Sequence, residues 1–364
     1  LANDLGGSQI MSSIQKLIAP NFWTTHGGSV PHLNSQPLCD RLTSTLDLPA
    51  WPQLSNRDFR ENMYAQFSAH LPGIFLDKDK KKIHFDTSID LSPSLESFYE
   101  CYLADEVRAF TISPEYASGF YTMLEALKQH EGDWVKGQIT GPISFGLTVT
   151  DQNLRASLYD NVLADVIVKN TAMNARWQVR ELIKIRPHVI IFVDEPYMAS
   201  FGSAYISLSR EQVISMLNEV FAGIHKEGGV AGVHCCGNTD WSVLLATSVD
   251  ILNLDAFGFI DSLALYPEEL RDFLDRGGLI AWGILPNDER IDQFRTEDIV
   301  KRLDEGLEKI SQKAARRGVE ITVNDFNKRS LILPSCGLGS TTVSVADQVF
   351  KKLIATGMYL QTTR

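Results

Sequence analysis

Apolar, β-branched runs ending in polar or Gly/Pro clusters recur along this chain, and stretches of helical period separate them. The clearest runs cover 134–142 (WVKGQITGP), 188–196 (HVIIFVDEP), 229–238 (GVAGVHCCGN), 250–258 (DILNLDAFG), 278–287 (GLIAWGILPN) and 321–339 (ITVNDFNKRSLILPSCGLG). Helical period marks 152–183, 210–227, 263–275, 295–317 and 343–356. In 295–317, Ile299, Leu303, Leu307 and Ile310 fall on one face while Glu and Lys fill the other. Continuous apolar strands alternating with amphipathic helices predict a parallel sheet covered on both faces. Six such units follow residue 130. The first 130 residues must supply the remainder, with 25–30 (THGGSV) and 46–54 (LDLPAWPQL) as candidate early strands. The fold expected is α/β, a single (β/α)8 TIM barrel over 11–364 with N-terminal insertions. A doubly wound open sheet ranks second, because no GxGxxG or P-loop supports it.

Residues 1–10 (LANDLGGSQI) precede Met11 and a helix-like SSIQKLIAP, and read as an extension added ahead of the native start. Charge then narrows the function classes. The 364 residues carry 34 basic and 45 acidic side chains, a formal charge of −11, which argues against a general nucleic-acid binder. No apolar stretch approaches the ~18 residues of a spanning helix. Five cysteines are too few for a disulfide scaffold, and their odd number leaves at least one thiol free. A reducing, cytoplasmic setting is expected.

The unusual polar residues collect at one kind of place. Asp194 and Glu195, His234 and Cys236, Asp255, Asn287 and Cys336 all sit at or just past the C-terminal end of a predicted strand. In an α/β barrel, that face carries the active site. Within GVHCCGNTDW (232–241), alternation turns His234 and Cys236 to one face and Cys235 to the other. An imidazole and a thiolate two residues apart on a strand make half of a tetrahedral zinc site, and Cys336 in LPSCGLGS offers a second thiolate. The fourth position is open to Asp255, solvent or a substrate thiol. Cys39, Cys101 and Cys235 read instead as small buried hydrophobes.

Taken in order, THGGSVPH (25–32), RENMYAQF with LPG (60–73), ITGPISFG (139–146), FVDEP (192–196), HCCGN (234–238) and PSCGLGS (334–340) resemble the catalytic barrel of the cobalamin-independent methionine synthases. That superfamily also holds uroporphyrinogen decarboxylases and corrinoid–thiol methyltransferases. The resemblance implies zinc-assisted methylation of homocysteine, with His234, Cys236 and Cys336 as Zn²⁺ ligands. Asp255 stands nearest to the family's glutamate ligand, one methylene shorter. Asp194 matches the aspartate that takes the homocysteine ammonium, Glu61 lies near a second such acid, and Gly28 and Ser29 resemble the loop that receives the carboxylate. Asn238 and Asn287 are further candidates to line the site.

Departures from the family bear on the methyl donor. GPISFGLTV (141–149) lacks the tryptophan that stacks on a pterin, with Thr148 or a neighbour in its place, and AWGILPND (281–288) lacks the proton-donating histidine. A second barrel is not expected within 364 residues. These absences favour methylcobalamin or a methylcorrinoid protein over 5-methyltetrahydrofolate, because Co(I) leaves without needing a proton. Trp134, Trp241 and Trp282 are candidates for a corrinoid surface, although packing is the commoner use of such residues. The alternatives are a coenzyme M-type acceptor, which the Asp194 carboxylate would repel, and a decarboxylase-like lyase, for which the strand ends are poor in arginine.

Overall fold

The computed structural model describes residues 19–204 and 206–364. The extension expected over 1–10 and most of the helix-like stretch after Met11 lie outside these residues. Among the described residues there are nine strands: β1 (Trp23–Thr24), β2 (Ile74–Asp77), β3 (Lys82–Phe85), β4 (Trp134–Thr140), β5 (His188–Asp194), β6 (Val230–Cys235), β7 (Ile251–Leu254), β8 (Leu279–Leu285) and β9 (Ser330–Pro334). Seven of them form one curled parallel sheet in the order β1-β9-β8-β7-β6-β5-β4, and β2 and β3 form a separate antiparallel hairpin. All six strands expected after residue 130 are therefore present, in mutually parallel register.

Alternation along these strands divides the core in two. Ile190, Phe192, Val230, Ile251, Leu279, Ala281, Leu331 and Leu333 face the concave interior together with Leu48. Their neighbours in sequence, among them Val189, Ile191, Ala231, Val233, Ile280 and Ile332, face the helices. Both faces are thus buried, which is why the strands read as continuous apolar runs rather than alternating ones. The interior is tightly packed: a Cβ on Gly232 would lie 2.3 Å from the Phe192 ring.

The eighth strand of the expected barrel is not a strand. Residues 25–30 turn away after β1, and 46–54 take its place between the two sheet edges. Leu48 N–H donates to Thr24 O (3.1 Å) on one side, while Lys136 N–H donates to Pro49 O (2.9 Å) and Trp51 N–H to Lys136 O (3.3 Å) on the other. Pro49 and Pro52 have no N–H to offer, so this segment cannot run a regular ladder.

Helices mostly follow the expected periods, as at Asn161–Leu182, Arg210–Lys226, Thr296–Arg316 and Val343–Thr363. The stretch 263–275 is broken instead, with Ala256–Leu263 ending before a second helix, Pro267–Asp275, that starts on its proline. A short helix, Val323–Asn327, opens the run 321–339, capped where Thr322 and Asp325 exchange hydrogen bonds. Among the described residues no helix is long and apolar enough to cross a membrane.

Candidate metal and thiol site

The C-terminal ends of β5, β6 and β9 converge on a cavity of about 480 Å³ lined by Gly27, Ser29, Glu61, Asp194, His234, Cys236 and Cys336, among others. One ligand atom each from His234, Cys236 and Cys336 lies within 4.8 Å of the others. His234 ends the inward row of β6, and Cys236 follows two residues later at the same rim. Cys336 arrives on the turn after β9, which Asn287 braces by donating from Nδ2 to Gly337 O (3.1 Å) and accepting from Ser335 Oγ (3.2 Å). Cys235 points the other way into the helix-facing core, where burial pushes its thiol up to about 12.

Asn253 on β7 settles the chemistry of His234. Its Nδ2 donates to Ala281 O (2.7 Å), so its Oδ1 must be the acceptor facing His234 Nδ1 at 2.6 Å. Nδ1 therefore carries a proton, which leaves Nε2 to face the thiols, where it is hydrogen-bonded to Cys236. A hydrogen bond from Cys336 draws the Cys236 thiol well below its ordinary range, helped by His234, and the same bond pushes Cys336 up. Burial works against a charged His234, but its hydrogen bond to Cys236 and that thiolate's charge outweigh it. Two soft thiolates and an imidazole, with the ring fixed by an outer partner, suit zinc.

Asp194 and Glu195 divide their work. Glu195 is fully buried and accepts from Ile143 N (3.0 Å) and Ser144 N (2.7 Å), tying β5 to the helix Pro142–Thr148. Asp194 is half-buried and lines the cavity, and its carboxylate accepts no hydrogen bond from the described residues. Burial lifts its carboxyl to about 6, against the pull of His234 and Lys136.

The other expected site residues separate. Glu61 lines the cavity, but Arg57 Nη1 bonds its Oε1, Ser118 Oγ donates to the same oxygen (2.7 Å), and Leu54 N reaches Oε2 (3.4 Å). It is already a satisfied brace. Gly28 has φ +104°, and a Cβ there would lie 2.6 Å from the Gln138 side chain, so the turn demands glycine. Ser29 lines the cavity and accepts Leu338 N on its carbonyl (2.9 Å). Asp255 stays outside the three-ligand cluster, capping the helix Ala256–Leu263 by accepting Gly258 N (2.8 Å). Asn238 is exposed, and Trp241 and Trp282 are wholly buried, so neither indole offers a corrinoid surface.

Fold and site define an α/β, TIM-barrel-like protein with an imidazole and two thiols gathered at the sheet's C-terminal rim. No family model and no curated protein sequence matches the chain. Among solved structures it is similar to a B12-independent methionine synthase from Shewanella sp. W3-18-1 in complex with selenomethionine. The identity is 15%, the TM-score 0.53, and the match covers 95% of this chain and 98% of that one. A hyperthermophilic β-glucosidase from Pyrococcus furiosus matches at 10% identity and TM-score 0.41, over 94% and 95% of the two chains. The first likeness establishes a methionine synthase-like fold.

Proposed function

We propose that this chain is a zinc-dependent methyltransferase that methylates homocysteine to methionine, taking the methyl group from methylcobalamin or a methylcorrinoid protein. One observation carries the reading: His234, Cys236 and Cys336 meet within 4.8 Å inside a cavity that also holds the unpartnered Asp194. His234 Nε2 and the two sulfurs would hold the metal. Zinc bound there would lower the acceptor thiol's pKa and hold its sulfur in place. Asp194 would take the acceptor's ammonium, which favours an amino-acid thiol over a sulfonate-bearing one. Gly27 and Ser29 also line the cavity, and the turn between them would receive the acceptor's carboxylate. The thiol proton goes to solvent, the sulfur gains the methyl group, and the carbon–donor bond breaks with its electron pair staying on the donor.

A second donor reading has an observation of its own. The Shewanella neighbour is B12-independent, which favours 5-methyltetrahydrofolate if this chain shares its chemistry. The deciding experiment follows the visible spectrum of methylcobalamin mixed anaerobically with zinc-loaded protein and homocysteine, against an EDTA-treated control. Zinc-dependent loss of methylcobalamin with methionine formed supports the proposal. Methionine formed only from 5-methyltetrahydrofolate replaces the donor. Failure to load zinc overturns the reading.

A further inference from the structure

Lys136 is a charged side chain that the proposed chemistry does not use. It sits on β4, fully buried, and its ammonium lies 4.6 Å from the centre of the Phe192 ring. Burial brings it down to about 8. An unbranched apolar side chain would fill this place without the desolvation cost of several kcal/mol that a buried ammonium carries. What the ammonium adds is one directed hydrogen bond, from Nζ to the main-chain carbonyl of His26 (3.0 Å).

From His26 the contacts run directly to the cavity. Its ring accepts Gly28 N–H on Nδ1 (3.1 Å) and so donates from Nε2 to Ala50 O (3.0 Å). That fixes the backbone just before the turn Gly27–Ser29. The turn in turn lies on the one that carries Cys336. A Cβ on Gly27 would lie 3.4 Å from Gly337 Cα, a Cβ on Gly337 would fall 2.1 Å from Ser29 Oγ, and Ser29 O accepts Leu338 N (2.9 Å). Gly27, Ser29, Cys336 and Gly337 all line the cavity, whereas Lys136 does not.

We infer that Lys136 is a positioning residue: through the His26 carbonyl it seats the Gly27–Ser29 turn, and through that turn it sets the height of Cys336 at the cavity rim. Its relevance to catalysis rests on the methyltransferase reading, but the seating itself does not. The seating is transmitted by hydrogen bonds to the backbone, and beside it the ammonium also pulls electrostatically on Asp194.

The test is Lys136→Met, measured first by hydrogen exchange on the metal-free protein. Amides over 26–30 and at Leu338 should exchange about tenfold faster, while those in β5–β8 keep their protection. With Co(II) as probe, the thiolate-to-metal absorption should shift or weaken relative to wild type, and the homocysteine KM should rise about tenfold with kcat changing less. Unchanged exchange over 26–30 and 338 overturns the inference whether or not zinc binds. Loss of protection throughout the sheet makes Lys136 a general packing residue, which also overturns it. Should Lys136→Met fail to fold, Lys136→Leu, which likewise removes the donor to His26 O, is read in the same way, and its failure to fold overturns the inference. A local exchange change in Lys136→Met together with wild-type protein that binds no metal upholds the seating and overturns the methyltransferase reading alone.

Discussion

Asn253→Ala tests the site through a residue that never touches the cavity contents. Asn253 is 1% exposed and makes two bonds, one to His234 Nδ1 at 2.6 Å and one to Ala281 O at 2.7 Å. Truncation frees the His234 ring to rotate or change tautomer, so Nε2 is no longer the only lone pair aimed at the thiols. Loss of such an outer partner costs about 10–100-fold in metal affinity, or about 1.4–2.7 kcal/mol. It also leaves the ring N–H and the Ala281 carbonyl buried without partners, at about 1–3 kcal/mol each. Zinc affinity is read by competition with a chromophoric chelator, and stability by thermal melting. Asn253→Asp is the control: it keeps an acceptor for His234 but removes the donor to Ala281 O. It should melt earlier while binding zinc about as tightly as wild type. Zinc affinity in Asn253→Ala within about twofold of wild type would refute the claim that this amide sets the ligand atom of His234.

Three further outcomes are expected. Cys336→Ser should lose most bound zinc and all thiol methylation, as read by metal analysis and methionine formation, with an unchanged far-ultraviolet spectrum. Asp255→Ala should keep its zinc affinity and lose about 0.5–2 kcal/mol of stability, the worth of a helix cap, because its carboxylate bonds Gly258 N rather than joining the thiols. Glu195 has its carboxyl raised from 4.5 to about 7 by burial, so between those values the folded protein holds a proton that the unfolded chain has released. Stability from this group is therefore full below pH 4.5 and declines as pH rises to about 7. Glu195→Gln should melt below wild type, with a gap that narrows over that window; a gap independent of pH would refute the assignment.

What was legible in the sequence follows from period and position. Strands buried on both faces announce themselves as unbroken apolar runs, so β4 to β9 could be placed before any coordinates. The two-residue repeat separated Cys236 from Cys235, and the structure puts one at the cavity and the other in the core. The segment at 46–54 was less readable, because its prolines disguise a backbone that still bonds to both neighbours. Partners distant in sequence were not readable at all. Glu61 is the same residue whether it awaits an ammonium or is already held by Arg57 and Ser118, and only the fold brings Ser118 to it. Asn253 went unread, and its one mark in the sequence is that it is a lone amide within the apolar run ILNL.

The proline-bearing segment has a consequence for how copies of this chain behave at high concentration. Without it, β4 would present seven residues of bare parallel edge, a template on which another molecule could add a strand. Pro49 O and the Trp51 amide occupy the bonding groups of Lys136 on that edge, and Leu48 does the same at Thr24. Because Pro49 and Pro52 offer no donors of their own, the segment covers the edges without creating a new one. A deletion within 46–54 would uncover both rims of the sheet, and the first symptom should be turbidity on concentration rather than a loss of helix.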